Sequence, residues 1–161
     1  MRPLLCGLLV LGLTLGSGCG YRLRGQAPLP AVMANPYIDA SDRYTELHAA
    51  LAAQLRAAGA PPAATAGEAS AVIRLHADDS GRELLSVTAD NKPGEYEVYY
   101  AAEFSVASGT TELLPRQRVR LTRDYGYDET AVLAKEHEEQ SLRVALADEI
   151  AALILRRLAA L

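Results

Sequence analysis

Cysteine is scarce in this chain: only Cys6 and Cys19 occur among 161 residues. Cys6 sits in an N-terminal apolar run that reads as a removable leader, so the mature chain keeps Cys19 alone and can form no internal disulfide. Histidine is nearly as rare, with three in the chain, and none falls in a catalytic or metal-binding pattern. His48 lies on the apolar face of an expected helix, and His76 points outward from an expected strand. His137 belongs to Lys135-Glu136-His137-Glu138-Glu139, where Ser141 stands in place of the second histidine of a zinc-protease motif. No glycine-rich phosphate loop follows a strand, and no nucleophile elbow is present. Asp78-Asp79-Ser80-Gly81 lacks the alternating ligands and distal glutamate of a calcium loop, and reads as a strand-ending turn. These absences remove the usual metal and nucleophile enzymes, leaving only an unusual hydrolase built from scattered residues as an enzymatic alternative. No catalytic residue, metal ligand or diffusible cofactor is expected. Basic charge is also short: 16 Lys and Arg face 20 Asp and Glu, for a net charge of −4. That balance argues against nucleic acid as a partner, which needs a basic surface.

The N-terminus carries an address. Arg2 precedes an apolar run from Leu4 to Leu15, broken by Cys6, Gly7, Gly12 and Thr14. The run falls short of the roughly 20 apolar residues of a transmembrane helix. Gly16, Ser17 and Gly18 then lead to Cys19. The segment resembles a bacterial lipobox, with Gly16 where that pattern usually has Leu. The resemblance implies cleavage before Cys19 and covalent lipid on that cysteine, an anchor strengthened by each buried methylene. Gly20 replaces the Asp that retains lipoproteins in the inner membrane, which implies an outer-membrane anchor with the domain facing the periplasm. The expected organisation is a signal peptide at 1–18, a lipidated N-terminus and tether at 19–36, and one domain at 37–161.

The remainder alternates strands and helices. Pro28, Pro30 and Pro36 mark the tether as extended. A first strand is expected within Ala31 to Ala40. Ser41 or Asp42 can cap a helix carrying Tyr44, Leu47, His48, Leu51 and Leu55, which Gly59 and Pro61-Pro62 stop. Ala71 to Asp78 alternates as a strand, with Leu85 and Val87 continuing it after a break near Ser80-Gly81. Asp90 to Gly94 is a turn by composition. The clearest element follows: Tyr96, Val98, Tyr100, Ala102, Phe104 and Val106 share one face, and Glu95, Glu97, Tyr99, Glu103 and Ser105 the other. A loop from Ser108 to Pro115 leads to a strand around Val119 and Leu121. Asp128 can cap a last helix with Leu142, Leu146, Ile150, Leu153, Ile154 and Leu158 on its apolar face. Four half-polar strands and two amphipathic helices predict an α+β domain: a two-layer sandwich with both helices on one face of a mixed four-stranded sheet. The first strand-helix-strand unit makes its two strands parallel, and the rest pair antiparallel.

With catalysis set aside, surfaces carry the functional reading. Arg116, Arg118 and Arg120 stand two residues apart on one strand face, and Arg123 extends the basic stretch. The row reads either as an ordinary solvated face or as a contact for anionic groups, to which arginine is well suited. Lys92 in the turn and Lys135 at the helix start are isolated charges.

Residues 19 to 25, Cys-Gly-Tyr-Arg-Leu-Arg-Gly, open a set of features that resembles the lipopolysaccharide-assembly lipoprotein family LptE. The set continues with Glu95-Tyr96 opening the long alternating strand. It is fullest from Val119 to Leu158, with Ala131-Val132-Leu133-Ala134-Lys135-Glu136, Glu139-Gln140 and Leu155-Arg156-Arg157-Leu158. The resemblance implies the same fold and a non-enzymatic role. It implies a plug inside the outer-membrane barrel LptD, which the chain helps to assemble, and binding of lipopolysaccharide for insertion into the outer leaflet. Lys135 matches the family's lysine at the last helix, and Lys92 lies in the family's basic turn, where Ala89 stands in place of a basic residue. Lys92, Arg116, Arg118, Arg120 and Lys135 are therefore the candidates for lipopolysaccharide or partner contact. The competing expectation is a lipid-anchored periplasmic scaffold of another envelope complex.

Overall fold

The computed structural model describes residues 28–161, so the leader, Cys19 and the motif around it lie outside the described residues. The elements are β1 (Pro36–Asp39), α1 (Glu46–Ala57), β2 (Ala71–Val87), β3 (Pro93–Ser108), β4 (Thr111–Gly126) and α2 (Val132–Leu158). The four strands form one sheet in chain order. β1 runs parallel to β2 across the α1 crossover, from Pro36 opposite Ala71 to Asp39 opposite Arg74. β2, β3 and β4 follow as antiparallel neighbours. Both helices cover the face expected from the alternation in β3: Val98, Tyr100, Ala102, Phe104 and Val106 are buried against Leu47, Leu51 and Leu55 of α1 and Leu146, Ile150, Ile154 and Leu158 of α2. The two-layer α+β architecture is as the sequence predicts.

Local chemistry explains the boundaries. The Thr45 side chain, rather than Ser41 or Asp42, caps α1 by accepting from His48 N at 3.2 Å. Asp42 instead closes a small turn onto Tyr44 N. Tyr44 therefore precedes the helix and is 98% exposed, not part of its apolar face. α1 ends in a Schellman motif: Gly59 takes φ +79°, Ala60 N donates to Leu55 O and Gly59 N to Arg56 O. Asp128 caps a single 3-10 turn, Glu129–Ala131, that leads into α2.

Several expectations are corrected. Ala31–Met33 is a 3-10 turn, and only Pro36–Asp39 forms β1. Met33 is fully buried, with Leu29 and Val32 packed beside it, so the core takes in part of the segment expected as tether. β2 is continuous: Asp78, Asp79, Ser80 and Gly81 pair with Ala102, Ala101, Tyr100 and Tyr99 instead of turning. The expected loop from Ser108 to Pro115 is a two-residue turn with Gly109 at φ +56°, and β4 begins at Thr111. Pro115 lies in this edge strand within a register shift between Phe104 and Val106, where a missing N–H breaks no ladder bond.

Candidate functional site

The strand alternation that builds the core fixes the outer face of the sheet. On β4, Arg118 stands opposite Glu103 and Arg120 opposite Ala101. Arg116 makes a two-pronged contact with Glu103, at 2.7 and 2.8 Å, and that hydrogen bond holds the Glu103 carboxyl below its ordinary range. Arg120 reaches Glu83 at 2.9 Å and Glu97 at 3.5 Å, and lies over the Tyr99 ring at 4.3 Å. Arg118 makes no ion pair among the described residues. The row is thus a lattice of alternating charge in which one arginine of three is left for an anion. Arg123 does not extend it: opposite Val98, it faces the helices and pairs with Glu149 at 2.6 Å.

Lys92 and Lys135 belong to a different region. Lys92 Nζ, in the β2–β3 turn, pairs with Glu129 ahead of α2. Further along, Arg82 of β2 reaches Glu139 of α2 at 2.8 Å. These ties show that α2 runs back along the hairpin, which brings Lys135 to the same distal end as Lys92. Lys135 Nζ lies 2.8 Å from Glu138 and 6.0 Å from the centre of the Tyr125 ring. Leu84, Leu85, Val87, Val132 and Leu133 fall between the two ties and are exposed, Leu133 by 74%.

The sequence reading missed the buried polar cluster that supports this end. Glu139 is the buried charged residue of the described chain. Its carboxylate accepts from Arg82, from Tyr125 Oη at 3.1 Å and from Arg143 at 3.1 Å. Burial pushes the Tyr125 phenol above its ordinary value. Tyr96 stacks on Tyr125 at 5.9 Å, meets Tyr127 edge-on at 5.3 Å, and carries Arg82 over its face at 4.7 Å. One signal was available: Glu139 lies seven residues before Leu146, on the same helical stripe.

Elsewhere His48 is lowered by burial, and His76 meets Ser105 Oγ at 2.8 Å on the outer face. Asp78 is held by Tyr100 Oη at 2.7 Å and Thr45 Oγ1 at 2.5 Å, in a structural rather than cation-binding role. Among the described residues no group of His, Cys, Asp and Glu is arranged to hold a metal, and no helix is long and apolar enough to cross a membrane. What the geometry of the described residues offers is surface for binding.

Comparison with known proteins agrees with that. A family profile described as "LptE: Lipopolysaccharide-assembly" matches residues 34–158. The LPS-assembly lipoprotein LptE of Pectobacterium atrosepticum is 28% identical over 153 residues, covering 93% of this chain and 83% of its own length. That of Yersinia enterocolitica is 26% identical, covering 96% and 73%. Among solved structures, the rare lipoprotein B of Shewanella oneidensis superposes with a TM-score of 0.68 at 29% identity, covering 78% of this chain and 94% of its own. Lipoprotein B of Nitrosomonas europaea gives 0.69 at 26% identity, covering 85% and 88%. With a matching profile from ahead of β1 to the end of α2, this chain belongs to the LptE family of non-enzymatic lipopolysaccharide-assembly lipoproteins.

Proposed function

We propose that this protein is anchored in the outer membrane by lipid on Cys19, plugs and helps assemble the LptD barrel, and binds lipopolysaccharide on its way to the outer leaflet. The observation that carries the ligand reading is the distal end of the hairpin. There Lys92 and Lys135 border exposed Leu84, Leu85 and Leu133, a combination suited to an amphiphile with anionic groups and acyl chains. Both lysines are ion-paired in the free protein, so ligand phosphates displace Glu129 and Glu138 rather than meet bare cations. The pairs are exposed and worth little, so the exchange costs little.

The test measures lipopolysaccharide binding to the full lipidated chain in mild detergent at low and high salt. Lys92→Asp with Lys135→Asp is expected to weaken binding by roughly tenfold or more and to flatten its salt dependence. Arg118→Glu should weaken it less, because the row lies on the outer face of the sheet away from the distal apolar patch. Within the row Arg116→Glu and Arg120→Glu should weaken it least, since Arg118 has no carboxylate partner among the described residues to release. Unchanged low-salt binding by the double lysine variant, with circular dichroism intact, would refute the distal assignment. A detergent pull-down tests the plug: a stoichiometric barrel that resists salt supports it, and recovery with unrelated envelope proteins favours a lipid-anchored scaffold.

A further inference from the structure

β1 pairs with β2 only as far as Asp39 opposite Arg74, yet β2 runs on to Val87. Beyond Arg74, among the described residues, no backbone group pairs with that side of β2. From Ala77 to Leu84 its pairing with β3 on the other side is one-to-one, without a bulge. A regular strand of that length is about 27 Å long, and every second residue turns its N–H and C=O toward the open side. Such an edge is a template for another strand, and soluble proteins ordinarily cover or blunt it.

This edge is bounded rather than simply open. At one end Thr45, whose hydroxyl donates to Asp78, anchors the chain leaving β1, and the adjoining Tyr44 is 98% exposed. At the other end the register shifts between Leu84 and Ser86, and Leu84 and Leu85 are half exposed. A strand added here would continue the line of β1. The β4 edge differs: Pro115 and two register shifts interrupt its first half, and Arg118 and Arg120 line the rest.

Charge defines the occupant. On the outer face of the notch, Asp79 has, among the described residues, only the Tyr99 hydroxyl, at 3.3 Å. Glu83 stands directly opposite Glu97, and the two share Arg120. Two carboxylates therefore share one guanidinium while Asp79 has none, and the like charges of Glu83 and Glu97 repel across the ladder. A neighbouring strand with basic side chains beside Asp79 and Glu83 would relieve this, and those two positions are four residues apart.

We infer that the β2 edge from Ala77 to Leu84 is a docking notch for an extended segment of another polypeptide, joined by backbone hydrogen bonds and carrying Lys or Arg at positions four residues apart. The inference does not depend on the ligand reading above.

Photo-crosslinking of the full-length lipidated protein in its own host tests it, with a photoreactive residue at Ala77, at Leu85 or, as a control on the opposite edge, at Thr122. The expected result is that Ala77 and Leu85 label one segment of a single other protein, about eight residues apart, with basic residues between. Asp79→Lys with Glu83→Lys should lower the Ala77 yield about tenfold while circular dichroism stays unchanged. The inference is overturned by labelling of unrelated segments, of a second copy or of residues 20–27 of the same chain. It is equally overturned by labelling at Thr122 alone, by no labelling, or by a yield indifferent to the charge reversal.

Discussion

Gly81 has no Cβ to keep Tyr99 off the outer face of β2. A Cβ built there would stand 2.8 Å from Tyr99 Oη and 3.0 Å from two ring carbons. The ring crosses the glycine, donates to Asp79 and supports Arg120 from beneath. Because Tyr99 lies on the surface, Gly81→Ala is expected to swing the ring aside rather than strain the backbone, leaving stability within about 1 kcal/mol. The readout is titration. The Asp79 carboxylate is the leading cause of the raised Tyr99 phenol, so Gly81→Ala should bring that phenol back toward the ordinary value. An unchanged Tyr99 titration by NMR would contradict this account. The same glycine explains a misreading. Asp-Asp-Ser-Gly has the composition of a turn, and nothing along the sequence shows that an aromatic from the next strand occupies the space its missing side chain leaves.

At the scale of elements, α1 is tied to the sheet through Tyr100. Its hydroxyl donates to Asp78 at 2.7 Å and accepts from Leu47 N at 3.2 Å, and burial pushes its pKa far above the ordinary phenol value of 10.0. An acid raised on folding stabilises the fold fully below its unfolded value and loses that contribution as pH climbs through the folded one. Stability should therefore fall above about pH 10. Tyr100→Phe should flatten that alkaline limb and cost about 1 kcal/mol at neutral pH through the lost hydrogen bonds, both read from urea unfolding against pH. Elements with strong period were legible: β3 alternates without a break, and both helices carry clear apolar stripes. The short β1, the uninterrupted β2 and the tight β3–β4 turn were not. Their limits are set by pairing with other strands, and Pro115 sits in a strand only because that strand is an edge.

Across the whole molecule, the described sheet is longer than its first helix. β2 has 17 residues and spans about 56 Å, whereas the 12 residues of α1 span about 18 Å. The distal half depends on α2 and on the cluster around Glu139. Glu139→Ala would leave Arg82 and Arg143 facing a space without their carboxylate, and should lower stability by about 2–3 kcal/mol, with Glu139→Gln losing less. Equal losses in urea unfolding would show that charge plays no part there. The positions of the basic side chains can be read along the sequence, and of their acidic partners only Glu138, one helical turn from Lys135, lies close by in the chain. Glu103 meets Arg116, Glu83 meets Arg120 and Glu129 meets Lys92 across distances in the chain that only the register of the sheet reveals.

That register also orders assembly of the fold in time. β2, β3 and β4 are joined by tight turns, so their pairing needs only short loops to close and can form early. β1 has no partner until β2 exists, and Asp39 meets Arg74 only after the intervening helix has folded back. Although β1 precedes the other strands in the chain, it is expected to join the sheet last. Until it does, the edge of β2 stands open along its whole length, as a template that any neighbouring unfolded chain can read.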